Sequence, residues 1–504
     1  MDKVVITGQD TTIEEVIAVG CNYAKVEISP QALQKINQSR NTVETLLKSD
    51  KSYYGINTGF GSLAEKKIPP DQVTQLQKNL VLSHATGVGP ILPEKVSRLM
   101  MFLRAVVMAK GYSGVRVEVV QRLMDMLNNN VHPVIPAFGS VGASGDLAPL
   151  AHLSLTLIGE GEVMWEGNRI PTNQYFRKQN LKPLELQAKE GLALLNGTQY
   201  MTALAVLAII NTERLIQAAD LAGALTLEAL DGIPDAFDHR IHQLRQHPGQ
   251  IETAQHIRKL IDGSKLIYSP SPPKRVQDPY SLRCLPQVHG TVRDTLNYLK
   301  SVVSREINAV TDNPLIFSEQ QEILSGGNFH GQPIAIIMDL LCLGLANLGG
   351  ISERRIDLLL DWHRSGLPPF LTSNPGVESG YMIAHLTAVS LLNILKTNSC
   401  PSSSDSVPTS TGREDHISFG SNAAWKAYQS TDHLSKVLGV ELLAALRAID
   451  LRKVKDNLGI LTGKAYQLIR KKIPFYPSDQ ILSGKINKIS EIILKGELFQ
   501  IYSS

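Results

Sequence analysis

The chain has 504 residues, with 50 Lys and Arg against 47 Asp and Glu and a net charge of +3 at pH 7. That length can bury a large core, and without a long basic or acidic run the charge balance gives no footing for nucleic acid. Cys21, Cys284, Cys342 and Cys400 stand far apart with no Cys-x-x-Cys pair, which argues against a disulfide framework or thiolate zinc site and fits a reducing, cytoplasmic setting. Asp2 and Lys3 precede only a short apolar stretch, so a signal peptide is not expected.

In chain order, residues 4–7 read as a brief strand. Thr11 and Thr12, with Glu14 and Glu15 three positions on, read as a capping box that opens a helix. The stretch Tyr54-Gly55-Ile56-Asn57-Thr58-Gly59-Phe60-Gly61 lacks the spacing of a dinucleotide or phosphate loop. It is either a flexible turn or a mobile lid that carries Tyr54 over a site. Helical patterns follow over 71–83 and 93–110. Asp146 makes an N-cap for the apolar run 147–158, and Pro149 is tolerable in its first turn. Asn196 is a turn residue or an amide aimed at a substrate. Character then changes near residue 197, which divides the chain into an N-terminal domain, 1–197, and a long-helix region, 198–504. Ala/Leu-rich helical runs over 199–230, 285–310, 333–362 and 421–453 predict an extended, mostly antiparallel bundle. Apolar faces on such helices call for other copies of the chain, so a homo-oligomer is expected. The nearly unbroken apolar run 334–351 carries Asp339, Asn347 and Gly349-Gly350, and reads as a buried bundle helix rather than a membrane span.

The breaks between helices hold the remaining candidates. A proline-rich loop over 268–275 and a serine-rich loop over 399–412 belong at the surface, where sites tend to be built. Arg283, in Gln277-Asp278-Pro279-Tyr280-Ser281-Leu282-Arg283, suits a carboxylate clamp or a structural salt bridge. Phe329 sits among glycines in Gly326-Gly327-Asn328-Phe329-His330-Gly331. Glu414-Asp415-His416 lacks a second ligand cluster, and His239 with His242 reads as a solvated helix face, so no metal is expected. No Gly-x-Ser-x-Gly elbow supports a serine hydrolase.

The most informative step is Ala143-Ser144-Gly145. Three small residues leave the backbone free to fold back, and Gly145 tolerates a close approach that a Cβ forbids. Attack of the Gly145 nitrogen on the Ala143 carbonyl carbon, with loss of water, closes a five-membered imidazolone. Dehydration of Ser144 then leaves an exocyclic methylidene, a carbon electrophile that no side chain supplies. A helix N-terminus beside the ring would stabilise negative charge arriving there.

Taken together, the motifs at 139–152, 54–61, 79–85, 280–283, 312–315, 326–331 and 414–416 resemble the aromatic amino acid ammonia-lyase family, in family order and over most of the chain. The resemblance implies a mainly α fold, fumarase/aspartase-like, with an extended central helical bundle and a smaller mixed N-terminal region carrying the self-cyclised loop. It implies a 4-methylidene-imidazol-5-one formed from Ala143, Ser144 and Gly145 with help from Asp146, no metal or nucleotide, and a homotetramer with shared active sites. It also implies elimination of ammonia from a small-molecule L-amino acid, with no nucleic-acid or membrane partner. Within the family, Ser83-His84, Glu414 and Met382 resemble the histidine-specific branch, which gives trans-urocanate. Elimination from tyrosine or phenylalanine, or an aminomutase reaction, is the alternative, and an inactive helical scaffold the distant one. Arg413, where Gln is common, and Thr86 depart from the pattern without removing a catalytic group. The implied roles are base for Tyr54, with Glu414 as rival base or imidazole anchor; carboxylate holder for Arg283, helped by Asn196; and lining of the electrophile for Tyr280, Gln277 and Phe329.

Overall fold

The structure, a computed structural model, describes residues 1–48, 51–269 and 275–502; most of the proline-rich 268–275 stretch lies outside them. The chain is mainly helical and divides into two compact units. The first comprises Met1–Val206, Ser301–Met338 and Pro401–Trp425; the second comprises Leu207–Lys300, Asp339–Cys400 and Lys426–Ser504.

The first unit holds all the described sheets, each of two or three short strands. Strands Lys3–Ile6 and Lys25–Ile28 pair in parallel around the helix Ile13–Asn22. That helix starts on the expected capping box, in its Thr12–Glu15 register: Thr12 Oγ1 accepts the Glu15 amide and Glu15 returns the bond to the Thr12 amide. Helix Glu94–Ala109 runs through the core, with every residue from Val96 to Ala109 buried. Helices Val73–His84, Leu147–Leu155 and Glu190–Leu195 pack on one another. Their ends place His84, Asp146 and Asn196 next to loops. Ile56, packed with Val43, Val73, Ala188 and Ile316, anchors the loop that carries Tyr54.

The apolar runs become the long helices Gln199–Ala229, Leu285–Glu306, Gln332–Leu360 and Gly420–Arg452. Gln199–Ala229 and Gln332–Leu360 have the length and apolar composition of membrane spans, but most of each apolar stretch is packed inside the fold. Gln332–Leu360 is not buried all round, as the sequence suggested. Ile336, Leu340 and Leu343 are exposed, spaced as one helical stripe. In the second unit, Leu340 and Leu343 join Val288 and Val292 in lining a groove of about 300 Å³.

The same unit buries ionic groups in pairs. Arg355 meets Glu441 through two bonds, 2.5 Å from Nε and 2.9 Å from Nη2. Asp220 accepts from His256, His289 and Arg293. His242 departs from the expected solvated face: it is fully buried, its ring nitrogens engaged by the Ala236 carbonyl and the Gln250 amide. Gln250 comes from the next helix, a partner outside the reach of the local pattern.

Candidate active site

Two cavities of about 620 and 410 Å³ in the first unit share Tyr54, Gly61, Ser144, Asn196 and Glu414 in their walls. The larger adds Ser83 and His84; the smaller adds Ala143, Phe329, His330 and His416. Positions from 54 to 416 are thus gathered around one serine.

The Ala143-Ser144-Gly145 backbone is held on both sides. Gly145 lies at φ +76°, and a Cβ there would stand 2.3 Å from the Gly197 carbonyl oxygen, so only glycine fits. Gly145 and Gly197 pair as a parallel bridge, and the Asp146 amide donates to the same Gly197 oxygen at 2.7 Å. The Asn196 side-chain amide donates to the Ser144 carbonyl at 3.2 Å, while Asn196 Oδ1 is buried without a hydrogen-bond partner. Behind the loop, Ser418 Oγ and the Gly331 amide both donate to the Gly142 carbonyl, and Ser140 Oγ reaches the Gly145 carbonyl.

Asp146 stands at the head of helix Leu147–Leu155, as the sequence suggested, but makes no side-chain cap there. Its Oδ2 instead accepts the Tyr200 and Met201 amides, each at 3.0 Å, and so caps the neighbouring helix Gln199–Ala229. Tertiary packing redirects a locally correct signal. Burial pushes its carboxyl up to about 7, against the hydrogen bonds from Met201, Ser140 and Tyr200.

Glu414 follows a tight turn in which Ser410, Thr411 and Gly412 all lie at positive φ. Two of these are not glycine, a conformation sustained by its surroundings. Glu414 Oε1 accepts from Ser144 Oγ at 2.6 Å, while Oε2 accepts from Thr409 at 2.6 Å and Ser410 at 3.0 Å. Burial raises the Glu414 pKa, but those three hydroxyls and His84 outweigh it and set it below its ordinary value.

His84 ends helix Val73–His84, with Nδ1 2.8 Å from the Leu80 carbonyl. A carbonyl only accepts, so Nδ1 carries the proton and Nε2 is left as an acceptor. Burial lowers the His84 pKa, opposed by the Leu80 bond and the Glu414 charge, which favours this neutral form. Tyr54 Oη accepts the Gly61 amide at 3.2 Å, and its ring meets Phe60 edge-on at 6.5 Å.

Gln277, Tyr280, Arg283 and Met382 belong to the second unit and line neither cavity. Tyr280 is 69% exposed, Gln277 is exposed, and Arg283 covers the Tyr280 ring at 4.6 Å with its Nε buried and unpartnered. Met382 opens helix Met382–Asn398, where Ile383, Leu386 and Val389 are also exposed.

Sequence reasoning passed over Ser140, Thr409, Ser418, Arg104 and the stacked His330–His416 pair, whose rings lie 5.8 Å apart. Arg104 had a signal: it is the one charged residue between Leu99 and Ala109, and a lone arginine in so apolar a run calls for a buried partner. Among the described residues, no group of three or more His, Cys, Asp or Glu side chains is arranged to hold a metal ion.

A helical fold and a tripeptide pressed between a glycine backbone and a serine-lined wall define a narrow class of enzyme. The aromatic amino acid lyase family matches residues 11–471, and the chain belongs to that family. It is 47% identical over 498 residues to a histidine ammonia-lyase of Alkaliphilus metalliredigens, covering 99% of this chain and 98% of that one. Among solved structures, a histidine ammonia-lyase from Trypanosoma cruzi is 36% identical with a TM-score of 0.91, covering 99% of this chain and 94% of that one. A tyrosine aminomutase from Streptomyces globisporus is 36% identical with a TM-score of 0.94, covering 99% and 98%.

Proposed function

We propose that the chain eliminates ammonia from L-histidine to give trans-urocanate. The observation that carries this reading is the placing of two hydrogen-bond acceptors, His84 Nε2 and the Glu414 carboxylate, in the wall of one cavity with Ser144. One such acceptor matches the single N–H of a neutral imidazole, and the two together match the two N–H groups of its protonated form. A benzene ring would leave His84 Nε2 without a donor, at a cost of about 1–3 kcal/mol for a buried polar group, while Glu414 would keep only its hydroxyl partners.

The residues around the tripeptide fit a methylidene-imidazolone. Gly145 is pressed on a carbonyl that admits no Cβ, Asn196 binds the Ser144 carbonyl, and the unpartnered Asn196 Oδ1 is an acceptor in reserve. Formed from Ala143, Ser144 and Gly145, that group would supply an electrophilic carbon to activate the substrate. Tyr54 takes the β-proton, its hydroxyl oriented by the Gly61 amide. Glu414 is better suited to anchoring the imidazole than to acting as base, because three hydroxyls and a lowered pKa make it a weak proton acceptor.

Arg283, Tyr280, Gln277 and Met382 complete the site in a homotetramer, where neighbouring copies supply them. Their absence from the walls of both cavities and the exposed apolar stripes support that assembly. The four cysteines form no disulfide, which fits a cytoplasmic location.

A panel of histidine, tyrosine and phenylalanine, followed by absorbance of the unsaturated product and by intact mass, tests the reading. Urocanate as the main product and a mass two waters below the sequence mass are expected. Coumarate, cinnamate or a β-amino acid as the main product would instead support the tyrosine, phenylalanine or aminomutase reading.

A further inference from the structure

Three charged side chains lie in the first unit behind the Asn196–Gly197 backbone. Arg104 and Lys189 are fully buried and Asp312 is 1% exposed. Lys189 Nζ donates to both Asp312 oxygens, at 3.0 and 2.9 Å, and Arg104 stands 4.0 Å from the same carboxylate. Arg104 Nη1 donates to the Asn196 carbonyl at 2.9 Å and to Gln199 Oε1 at 2.8 Å, while Nη2 donates to the Ala193 carbonyl. A Cβ on Gly197 would meet Arg104 Nη1 at 2.5 Å and Gln199 Oε1 at 2.3 Å. The guanidinium therefore bears directly on the backbone against which Gly145 is pressed.

We propose that Arg104, held by Asp312, which Lys189 fixes in turn, is a positioning residue for cyclisation: it is the backstop that keeps Gly197 from recoiling when Gly145 is driven toward Ala143. This rests on the reading that the tripeptide cyclises. In that reaction the Gly145 nitrogen bonds to the Ala143 carbonyl carbon. The carbonyl oxygen leaves as water with the amide hydrogens of Gly145 and Ser144. A second water takes the Ser144 hydroxyl and the Ser144 α-hydrogen. A free peptide relaxes instead of closing, so both walls must be rigid. Glycine at 197 lets the backbone seat against the guanidinium, and Gln199, tied to Thr311 at 3.0 Å, closes the same side. Apolar side chains of equal volume would serve stability at least as well as buried ions; what they lack is a rigid fork that grips two carbonyls at once.

The test uses the full chain as parent, Arg104→Met, Arg104→Lys and Gly197→Ala, each followed by intact mass after synthesis and by thermal melting. Arg104→Met and Gly197→Ala are expected to melt cooperatively yet lose the two waters about 100-fold more slowly, the penalty of a misplacement of about 1 Å in an intramolecular reaction. Arg104→Lys, which grips one carbonyl, is expected to fall between them and the parent. A folded Arg104→Met or Gly197→Ala chain that loses both waters as fast as the parent overturns the proposal. So does loss of fold in both, which would make Arg104 a purely structural residue. A parent that keeps its full mass overturns the cyclisation reading instead.

Discussion

Replacing Asp146 with Asn isolates the cost of burying its carboxylate. The carboxyl is fully buried and its pKa rises from an ordinary 3.8 to about 7. An acid whose pKa is raised by folding binds more protons folded than unfolded between those two values, so stability falls as pH rises from about 4 to about 7 and then levels off. Three units at 1.36 kcal/mol each give a loss of up to about 4 kcal/mol. Asn fits the same contacts: its oxygen can take the Tyr200 and Met201 amides and its nitrogen can face Ser140 Oγ, the group now 3.0 Å from Asp146 Oδ1. Both chains are compared in a Ser144→Ala background, so that the tripeptide stays chemically the same. Glu306, whose pKa burial also raises, titrates in both and cancels. The assay is thermal melting from pH 4.5 to 8. Parent and variant should coincide near pH 4.5, and by pH 8 the parent should lie lower by about 4 °C if the chain unfolds as one unit, more if the first unit unfolds alone. Parallel curves across the range would refute the assignment of a buried, proton-holding carboxyl.

Two further substitutions separate the roles around the cavity. Glu414→Gln should lower kcat/KM for histidine about 10- to 100-fold, the worth of one hydrogen bond to a charged group, while leaving the two-water mass deficit in place; steady-state urocanate formation checks it, and a loss under threefold would remove Glu414 from imidazole binding. Tyr54→Phe should lower kcat by about 10²- to 10⁴-fold with a smaller change in KM, again with the mass deficit intact; unchanged kcat would pass the role of base to another group.

Much of this was legible along the chain because the signals were local. The Thr12–Glu15 box, the long Ala/Leu runs and the small residues at 143–145 each act within a few positions, and the structure turns them into a cap, four long helices and a compressed loop. His84, Asn196 and Glu414 stood out as motif residues, and the fold sets all three in cavity walls with Ser144. What stayed hidden depended on partners far away in sequence. Asp146 has the right residue type for a cap, yet its partners sit 54 and 55 positions on. Asp312 belongs to the motif at 312–315 and Lys189 carries no local signal, and nothing in either stretch announces the pairing across 123 residues. The stripe at Ile336, Leu340 and Leu343 is indistinguishable by composition from the buried side of the same helix, because periodicity marks apolar faces without saying which chain covers them.

Ser144 and Glu414 are 270 positions apart, and the loop is clamped from behind by Ser418 and Phe419. A growing chain therefore carries Ala143-Ser144-Gly145 through most of its synthesis as plain peptide, without the wall that seats Gly142. On the proposed cyclisation, the order of translation would act as a clock that withholds the reactive carbon until the last segment of the first unit, Pro401–Trp425, has emerged. Thiols and amines of the cell would then meet that carbon only inside a finished cavity.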